Sequence, residues 1–338
     1  MKMKTQDSAD LCYPHLYNNS CKKPSSPWTE FVLVWIILSL ISLITVALNL
    51  LVIISVSHFR QLHTPTNILL LSLAVSDLLV GFIPMPGEIY RSTSCWFLGD
   101  NICFIYNYLC FIITTASVGD VVLISIDRYV AICDPLHYQT RVTERRVKIF
   151  VCLCWLWSVL YGILFIKDDL IQAGKNNTCY GECVTTVDLI SGTIGLVLYF
   201  IAPVITIIVL YMRVFVVAVS QARAMRSQVT AVKLRVSVTT AANKSELKAA
   251  RTLGVLVVLF LITFCPSYCV YLAGVESFSA FSVFAVDFLF YFNSCLNPII
   301  YALFYPWFRK TAKIIVTLQI LKPDSIKNVL YFSVFKAS

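Results

Sequence analysis

The chain has 338 residues, of which 58% are hydrophobic and 13% are charged, and its mean hydropathy is +0.79. A soluble domain is usually about 45–50% apolar and about 25% charged, so this composition excludes an ordinary soluble globule and indicates a protein that crosses a membrane several times. The net charge of +9 comes mainly from basic residues on one side of the predicted bundle, so it indicates orientation and no nucleic-acid partner is expected.

Seven apolar runs follow a polar N-terminal stretch. Residues 1–28 are polar, and no secretory signal peptide is expected, because the first apolar run is too long for one. The runs are 31–57, 67–90, 101–126, 149–166, 189–212, 252–275 and 278–304. Each is near or above the roughly 20 residues that a spanning helix needs. We therefore predict an all-α membrane protein, a seven-transmembrane helix bundle over residues 29–304.

Lysine and arginine are unevenly distributed between the two sides of this bundle. The loops after the first, third and fifth runs, together with the C-terminal tail, hold 20 of the 27 basic residues. By the positive-inside rule, residues 1–28 are extracellular and the tail, residues 321–338, is cytoplasmic. Two sequons then lie outside, at Asn18 and Asn176, and we expect both asparagines to be glycosylated.

The residues after the seventh run predict a short helix at the membrane surface. Aromatic and basic side chains are interleaved from Tyr305 to Lys313, which suits an amphipathic helix on the inner membrane face. We place this helix at residues 305–320. Membrane lipid is therefore an expected partner, and the basic tail adds attraction to anionic lipid headgroups.

Polar residues and prolines within the apolar runs indicate where function is located. Asn49 must find a partner on another helix, and Asp77 is a carboxylate at a depth where charge is costly and usually functional. Asp120 is expected to bond Trp155 or Ser72 as a structural group. Internal prolines bend spanning helices, and they occur at Pro84, Pro86, Pro203, Pro266 and Pro298.

Taken in order, these residues resemble a rhodopsin-class G-protein-coupled receptor over about residues 30–315. The features that carry this resemblance are Asn49, Asp77, Asp127-Arg128-Tyr129, Trp155, Pro203, Pro266 and Asn297-Pro298-Ile299-Ile300-Tyr301. Within that class the chain resembles the trace amine-associated receptors, most of which are olfactory receptors for volatile amines and of which fish have many. The stretches that carry the narrower resemblance are SHFRQLHTPTN (57–67), SIDRY (125–129), KAARTLG (248–254), YFNS (291–294) and FYPWFRK (304–310).

The resemblance implies a plasma-membrane receptor, not an enzyme, that couples to a stimulatory heterotrimeric G protein and detects a small-molecule ligand. Arg128 would pair with Asp127 and, in the resting state, with Glu246. The full set of implied switch residues is Asp127, Arg128, Tyr129, Tyr211, Glu246, Asn297, Pro298 and Tyr301. The loop that begins at Asp134 would touch the G protein.

The resemblance also implies an allosteric sodium pocket and two disulfides. The sodium site would be formed by Asp77, Ser117, Asn293 and Asn297, and no other cofactor is expected. One disulfide would join Cys103 to Cys183. The other would join Cys179 to an N-terminal cysteine, with Cys12 favoured by spacing and Cys21 as the alternative.

The sequence departs from the family pattern where an amine would bind. Amine receptors of this class place an aspartate 18 residues before the arginine, where this chain has Cys110, and some fish members place an acid where it has Gly195. An ammonium leaves water only if a carboxylate replaces its hydration. We therefore expect Asp287 to be the counterion, with Glu88 as the alternative. The predicted ligand site comprises Glu88, Cys110, Phe111, Thr114, Phe264, Tyr268, Tyr271, Asp287 and Tyr291.

Other function classes fit less well. The same scaffold could bind a ligand that is not an amine, since both usual counterions are missing. A transporter or channel could use Asp77 and Asp120 as a cation path, but no internal repeat is visible. A metalloenzyme is disfavoured because no histidine lies within a span. A light sensor is excluded, because Tyr291 stands where a Schiff-base lysine would be.

Overall fold

The structure is a computed structural model that describes residues 11–16, 19–23, 28–165, 179–184, 189–231, 237–274 and 277–319. The expected glycosylation sites, Asn18 and Asn176, and the tail after residue 319 lie outside these ranges. The side chain of Glu246 is likewise not described, although its backbone is helical.

Seven helical spans form the body of the molecule, which confirms the predicted fold class. We number them in chain order: Trp28–His58, Pro65–Phe82 with Pro84–Thr93, Asp100–Cys133, Glu144–Phe165, Leu189–Ala231, Ser237–Ala273 and Ala280–Phe304. Six of the described helical spans are long and apolar enough to cross a membrane. The sixth span is a long helix whose apolar part, Val257–Ala273, is shorter.

Prolines and one π-helical turn interrupt the outer parts of two spans. In the second span one helix ends at Phe82 and the next begins at Pro84, because proline has no N–H to continue the helical ladder. This bend turns the outer helix, which carries Glu88 and Arg91. In the fifth span the turn Val197–Ile201 is π-helical. Its extra residue rotates the side chains of the outer part of this span about the helix axis.

Two short α-helices in the described part of the chain lie at the end of the bundle that carries the basic loops. Pro135–Arg141 follows the third span, and Pro306–Val316 follows the seventh. The second of these corresponds to the helix expected at the membrane surface, and it is shorter than the range 305–320 taken from the sequence. Its apolar side packs against the bundle through Phe308 and Ile314, which are 2% and 8% exposed.

Buried polar groups tie the spans together. The Asn49 amide donates to the carbonyl of Ser294 on the seventh span at 3.0 Å. Ser72 donates to both carboxylate oxygens of Asp120 at 2.8 and 2.9 Å, and Trp155 donates to Ser72 at 3.1 Å. Asp120 is therefore the structural link between the second, third and fourth spans that the sequence predicted. Such bonds are needed because lipid offers polar groups no other partner.

Three disulfides hold the outer face. Cys103 is joined to Cys183, the pair implied by the resemblance. The favoured pairing of Cys12 with Cys179 is wrong, because Cys179 is joined to Cys21, the alternative. Cys12 is instead joined to Cys95, which precedes the third span.

Backbone hydrogen bonds explain why Cys21, and not Cys12, is joined to Cys179. The Cys21 N–H donates to the carbonyl of Tyr180 at 2.9 Å, and the Tyr180 N–H donates to Asn19 at 2.6 Å. This short parallel bridge places Cys21 beside Cys179. Gly181 then receives the N–H of Trp96 at 2.8 Å, which brings the residue before Trp96, Cys95, within reach of Cys12. The spacing of the cysteines along the chain does not show which backbone residues pair in this bridge.

Candidate functional site

The outer vestibule is a cavity of about 560 Å³ between the second span, the seventh span and the disulfide-linked loops. Its lining includes Trp96, Phe278 and Phe284 together with the three disulfides at Cys12, Cys21 and Cys183. Its charged lining residues are Lys22, Glu88, Arg91, Glu182 and Asp287. Both carboxylates that the sequence proposed as counterions therefore face one cavity on the outer side of the bundle.

Asp287 is a buried carboxylate held by hydroxyl groups. It is 9% exposed. Its Oδ1 accepts from Ser267 at 3.0 Å and its Oδ2 accepts from Tyr271 at 3.2 Å. No lysine, arginine or histidine among the described residues lies within ion-pair distance of it. Its orientation is set by the sixth span, whereas the sequence suggested Tyr291 as its neighbour.

Glu88, in contrast, has a cationic partner that sequence reasoning missed. Arg91 Nη2 donates to Glu88 Oε1 at 2.8 Å, and Ser92 donates to the same oxygen at 3.4 Å. Glu88 is 4% exposed, so its charge is compensated within the second span. The signal was present in the sequence, because residues three apart on a helix are neighbours.

Cys110 does not line the vestibule, and it does not line the apolar cavity between the third, fifth and sixth spans. It packs with Tyr106 and Trp96 beside the disulfide from Cys103. Tyr106 donates to the carbonyl of Pro84 at 3.1 Å, and a side chain at Gly87 would meet the Tyr106 ring, 2.1 Å from the added carbon. Tyr106 thus occupies the space between the third span and the bent second span.

A second, mostly apolar cavity of about 410 Å³ lies between the third, fifth and sixth spans. Two glycines of the fifth span, Gly192 and Gly195, line it where larger residues would reduce it. The complete lining is Phe111, Thr114, Thr115, Gly192, Thr193, Gly195, Leu196, Tyr199, Tyr268, Tyr271 and Leu272. Tyr271 therefore lines this apolar cavity and also bonds Asp287, so it stands between the two cavities.

Stacked aromatic rings lie below the apolar cavity. Phe264, two residues before Pro266, takes the place of the tryptophan that the resemblance implies. Its ring centre is 4.6 Å from that of Phe260 and 4.5 Å from that of Phe290. Phe200 stacks on Tyr268 at 4.2 Å. Phe264 is 4% exposed and has no polar atom to satisfy, so its contacts are made through its ring faces.

Arg128 is paired at the inner end of the third span. Its Nε donates to Asp127 at 2.9 Å, and its Nη2 contacts Asp127 and Thr66. Asp127 also accepts from Thr66 at 2.9 Å and from Tyr138 at 2.8 Å. Burial raises the pKa of the Tyr138 phenol. The implied partner Glu246 is in the sixth span, and its side chain lies outside the part of the chain described.

Tyr211 lies against the sixth span. A side-chain carbon added at Gly254 would be 1.9 Å from the Tyr211 hydroxyl, so only glycine permits this position. Tyr301, on the seventh span, is fully buried. The resemblance implies that both tyrosines are switch residues. Tyr129, a third such residue, packs with the inner ends of the third and fifth spans.

The four residues of the implied sodium pocket are buried in the middle of the bundle. Asn297, which precedes Pro298, donates to Asp77 Oδ2 at 2.8 Å. The other oxygen, Asp77 Oδ1, is buried without a hydrogen-bond partner among the described residues. Ser117 is 8% and Asn293 is 6% exposed. A hard cation that prefers oxygen ligands fits this donor set, because it would use the unpartnered carboxylate oxygen.

The loop helix Pro135–Arg141 exposes an apolar side chain at the inner end of the bundle. Leu136 is 90% exposed. Its helix is anchored at the start, since Asp134 accepts from His137 at 2.7 Å and pairs with Arg141 at 3.0 Å. The hydrogen bond from His137 lowers the pKa of the Asp134 carboxyl.

Comparison with known proteins gives the context for these sites. Residues 48–301 match the family of 7 transmembrane receptors (rhodopsin family). Trace amine-associated receptor 13c of Danio rerio is 36% identical over 330 residues, which cover 94% of this chain and 95% of the relative. Trace amine-associated receptor 9 of Rattus norvegicus is 36% identical, over 95% of this chain and 98% of the relative. Trace amine-associated receptor 4 of Mus musculus is 34% identical, over 93% of each.

Proposed function

This chain belongs to the trace amine-associated receptors of the rhodopsin family, and we propose that it is an olfactory receptor of the plasma membrane that detects a small amine. The family consists of receptors and not enzymes. In the proposed orientation the N-terminus is extracellular, and the vestibule opens to the outside. The ligand would enter there, and a stimulatory heterotrimeric G protein would bind at the inner face.

The observation that carries the amine proposal is the uncompensated carboxylate of Asp287. Burial of a carboxylate is costly unless a cation or strong donors replace its water. Asp287 has two neutral hydroxyl donors and no cation within ion-pair distance among the described residues. An ammonium group in the vestibule would supply the missing charge. Glu88 is a weaker candidate, because Arg91 already compensates it.

The apolar cavity would receive the rest of the ligand. It adjoins Asp287 through Tyr271 and is lined mainly by rings, threonine methyl groups and glycine backbone. An amine with an aromatic or branched apolar body could place its charge at Asp287 and its body among Phe111, Thr114 and Tyr268. The same cavity favours the second candidate function, a receptor for a neutral apolar ligand, for which Asp287 would be dispensable.

The test is to replace Asp287 by asparagine. Loss of one member of a desolvated charge pair costs about 3–5 kcal/mol, and 1.4 kcal/mol corresponds to about tenfold. Asp287→Asn should therefore weaken an amine agonist by roughly a hundredfold or more in a cyclic-AMP assay with surface expression matched. Glu88→Gln should weaken it much less.

The controls separate the alternatives. Ser267→Ala removes one hydrogen bond to Asp287 and no charge, so it should cost about 1 kcal/mol, or roughly fivefold. A larger loss from Glu88→Gln would move the counterion to the second span. Full amine potency in both acid variants would mean that aromatic rings such as Tyr268 hold the ammonium by cation–π contact. A response confined to neutral odorants would favour the second candidate function.

Activation is proposed to proceed through the switch residues at the inner face. Release of Arg128 from Asp127 and from Glu246 would open a cavity for the G protein, as Tyr211 leaves Gly254 and moves toward Tyr301. The exposed side chain of Leu136 would then be covered by the G protein. Leu136→Ala should reduce coupling while surface expression and agonist binding stay unchanged.

Sodium would stabilise the resting state from the middle of the bundle. Asp77 would supply the charge, and Ser117, Asn293 and Asn297 would supply neutral oxygen ligands. The proposal is supported by the unpartnered oxygen of Asp77. Asn18 and Asn176 would carry glycans on the outer side, and the helix Pro306–Val316 would lie on the inner leaflet lipid.

A further inference from the structure

We propose that Arg91 cancels the charge of Glu88 and thereby restricts the vestibule to ligands that carry one ammonium group. The inference rests on the proposed function, because it presumes that Asp287 binds that ammonium. It goes further by naming the ligand class as monoamines rather than diamines. It also assigns a specificity-determining role to Arg91.

The ion pair is fixed on both sides. Arg91 Nη2 donates to Glu88 Oε1 at 2.8 Å, and Arg91 Nη1 donates to the carbonyl of Cys183 at 3.4 Å. Cys183 is itself held by the disulfide to Cys103. One of the two groups that Arg91 contacts, the Cys183 carbonyl, is therefore held in place by a disulfide. A buried carboxylate that is paired in this way gains little free energy by exchanging the guanidinium for a ligand ammonium.

The charges around the vestibule leave room for one cation. The charged side chains that line it, among the described residues, are Lys22, Arg91, Glu88, Glu182 and Asp287. Their sum is one net negative charge. Glu88 is matched by Arg91, and Asp287 has no such partner. A ligand with one ammonium therefore neutralises the vestibule, and a ligand with two leaves an excess positive charge.

The second ammonium of a diamine would meet the wrong partner. The side chain of Arg91 is 31% exposed, whereas that of Glu88 is 5% exposed. A group that approaches the pair from the cavity thus reaches the guanidinium first. The guanidinium and the second ammonium carry like charges and repel each other. Removing that ammonium from water without pairing it to a carboxylate is also unfavourable.

The first arm of the test uses the unmodified receptor. Unbranched primary monoamines from propylamine to octylamine are compared with their α,ω-diamines of equal length in a cyclic-AMP assay. We expect every monoamine that activates the receptor to be at least about tenfold more potent than the matching diamine. Equal or greater potency of the diamines would overturn the inference.

The second arm changes the charge balance. Arg91→Gln exposes Glu88 as a second uncompensated carboxylate, so the potency of the diamine relative to the monoamine should rise by about tenfold or more. Arg91→Lys keeps the charge and should keep the ratio of the unmodified receptor. An unchanged ratio in Arg91→Gln at normal surface expression would overturn the inference. So would a response to amino acids that needs Arg91, since it would make the guanidinium a carboxylate receptor.

A further pair of variants keeps the test informative if Arg91→Gln does not reach the surface. Glu88→Gln together with Arg91→Gln removes both charges at once and should restore the monoamine preference. Glu88→Gln alone leaves Arg91 unpaired near the ammonium and should weaken monoamines up to about tenfold. Failure of these results while Asp287→Asn still abolishes the amine response would refute only the charge balance. Full amine potency in Asp287→Asn would refute the proposed site itself.

Discussion

The inner and outer halves of the bundle partner their charged side chains in different ways. In the inner half, Asp127 and Arg128 are bound to each other and to Thr66 and Tyr138. In the outer half, Glu88 is paired with an arginine one helical turn away, while Asp287 has only hydroxyl donors.

The difference follows from what each half must contact. The inner residues match the family pattern position by position, as expected for a surface that binds a shared kind of partner. The outer residues depart from that pattern at Cys110, Gly195 and Phe264. In the proposed function, changes there would alter which ligand is recognised and would leave the inner contacts in place. Four substitutions test this division, in order of decreasing expected effect.

Arg128→Ala tests the inner half most severely. We expect complete loss of G-protein coupling at normal surface expression, because the guanidinium is the only basic group bound to Asp127 among the described residues. Agonist binding should be retained, since the vestibule lies at the other end of the bundle. Arg145→Ala, which removes an exposed cation, is the matched control. Coupling that survives in Arg128→Ala would contradict the assignment of the switch.

Cys110→Asp in the Asp287→Asn background asks whether the outer half can be returned to the usual family arrangement. The new carboxylate should restore amine potency by about tenfold, which is less than the amount lost, because Cys110 packs with Tyr106 outside the cavity linings. Cys110→Asn has the same shape without the charge and should restore nothing. If both variants act alike, charge at this position is irrelevant to the ligand.

Gly254→Ala tests the contact between the fifth and sixth spans at the inner side. The added carbon would lie 1.9 Å from the Tyr211 hydroxyl, so Tyr211 must leave its resting position. Basal cyclic-AMP signalling should rise roughly threefold to tenfold, which corresponds to a shift of about 0.7–1.4 kcal/mol. In the Tyr211→Phe background the same change should have a smaller effect, as a double-mutant cycle would show.

Asp77→Asn should have the smallest effect of the four. If sodium binds at Asp77, replacing sodium chloride by choline chloride should change agonist potency a few-fold, roughly twofold to fivefold, in the unmodified receptor. The asparagine variant should show no such dependence, since the amide lacks the charge that holds the ion. An unmodified receptor that is indifferent to sodium would make this cluster a purely structural one.

Much of the fold was predictable because lipid imposes strict rules on sequence. The spans follow from apolar length, the bend of the second span from Pro84, and the buried link at Asp120 from the need of a carboxylate for partners. Glu88 and Asp287, two of the three carboxylates that line the vestibule, were also found from sequence. The difference in how their charges are compensated was not predicted. The pairing of Glu88 with Arg91 was not inferred from their spacing, and the hydroxyl donors of Asp287 come from a different span.

Other features could not be derived from the sequence for physical reasons. The exchange of Cys12 for Cys21 depends on the register of a two-residue bridge at Tyr180, which carries no apolar pattern. The apolar cavity depends on the absence of side chains at Gly192 and Gly195. Whether a glycine leaves a cavity depends on how the neighbouring helices pack around it, and the sequence alone does not give that packing.

The positions of the six disulfide cysteines have a consequence for how the receptor is made. All of them lie between residues 12 and 183, and domains are synthesised and folded from the N-terminal side. In the proposed orientation the N-terminus enters the oxidising lumen of the secretory pathway, so the covalent frame of the vestibule would close while the last spans are still in the ribosome. The seventh helix, which brings Asp287, would then dock into an oxidised receptacle. Newly made chains halted after the fifth span should already be resistant to thiol alkylation at these six positions.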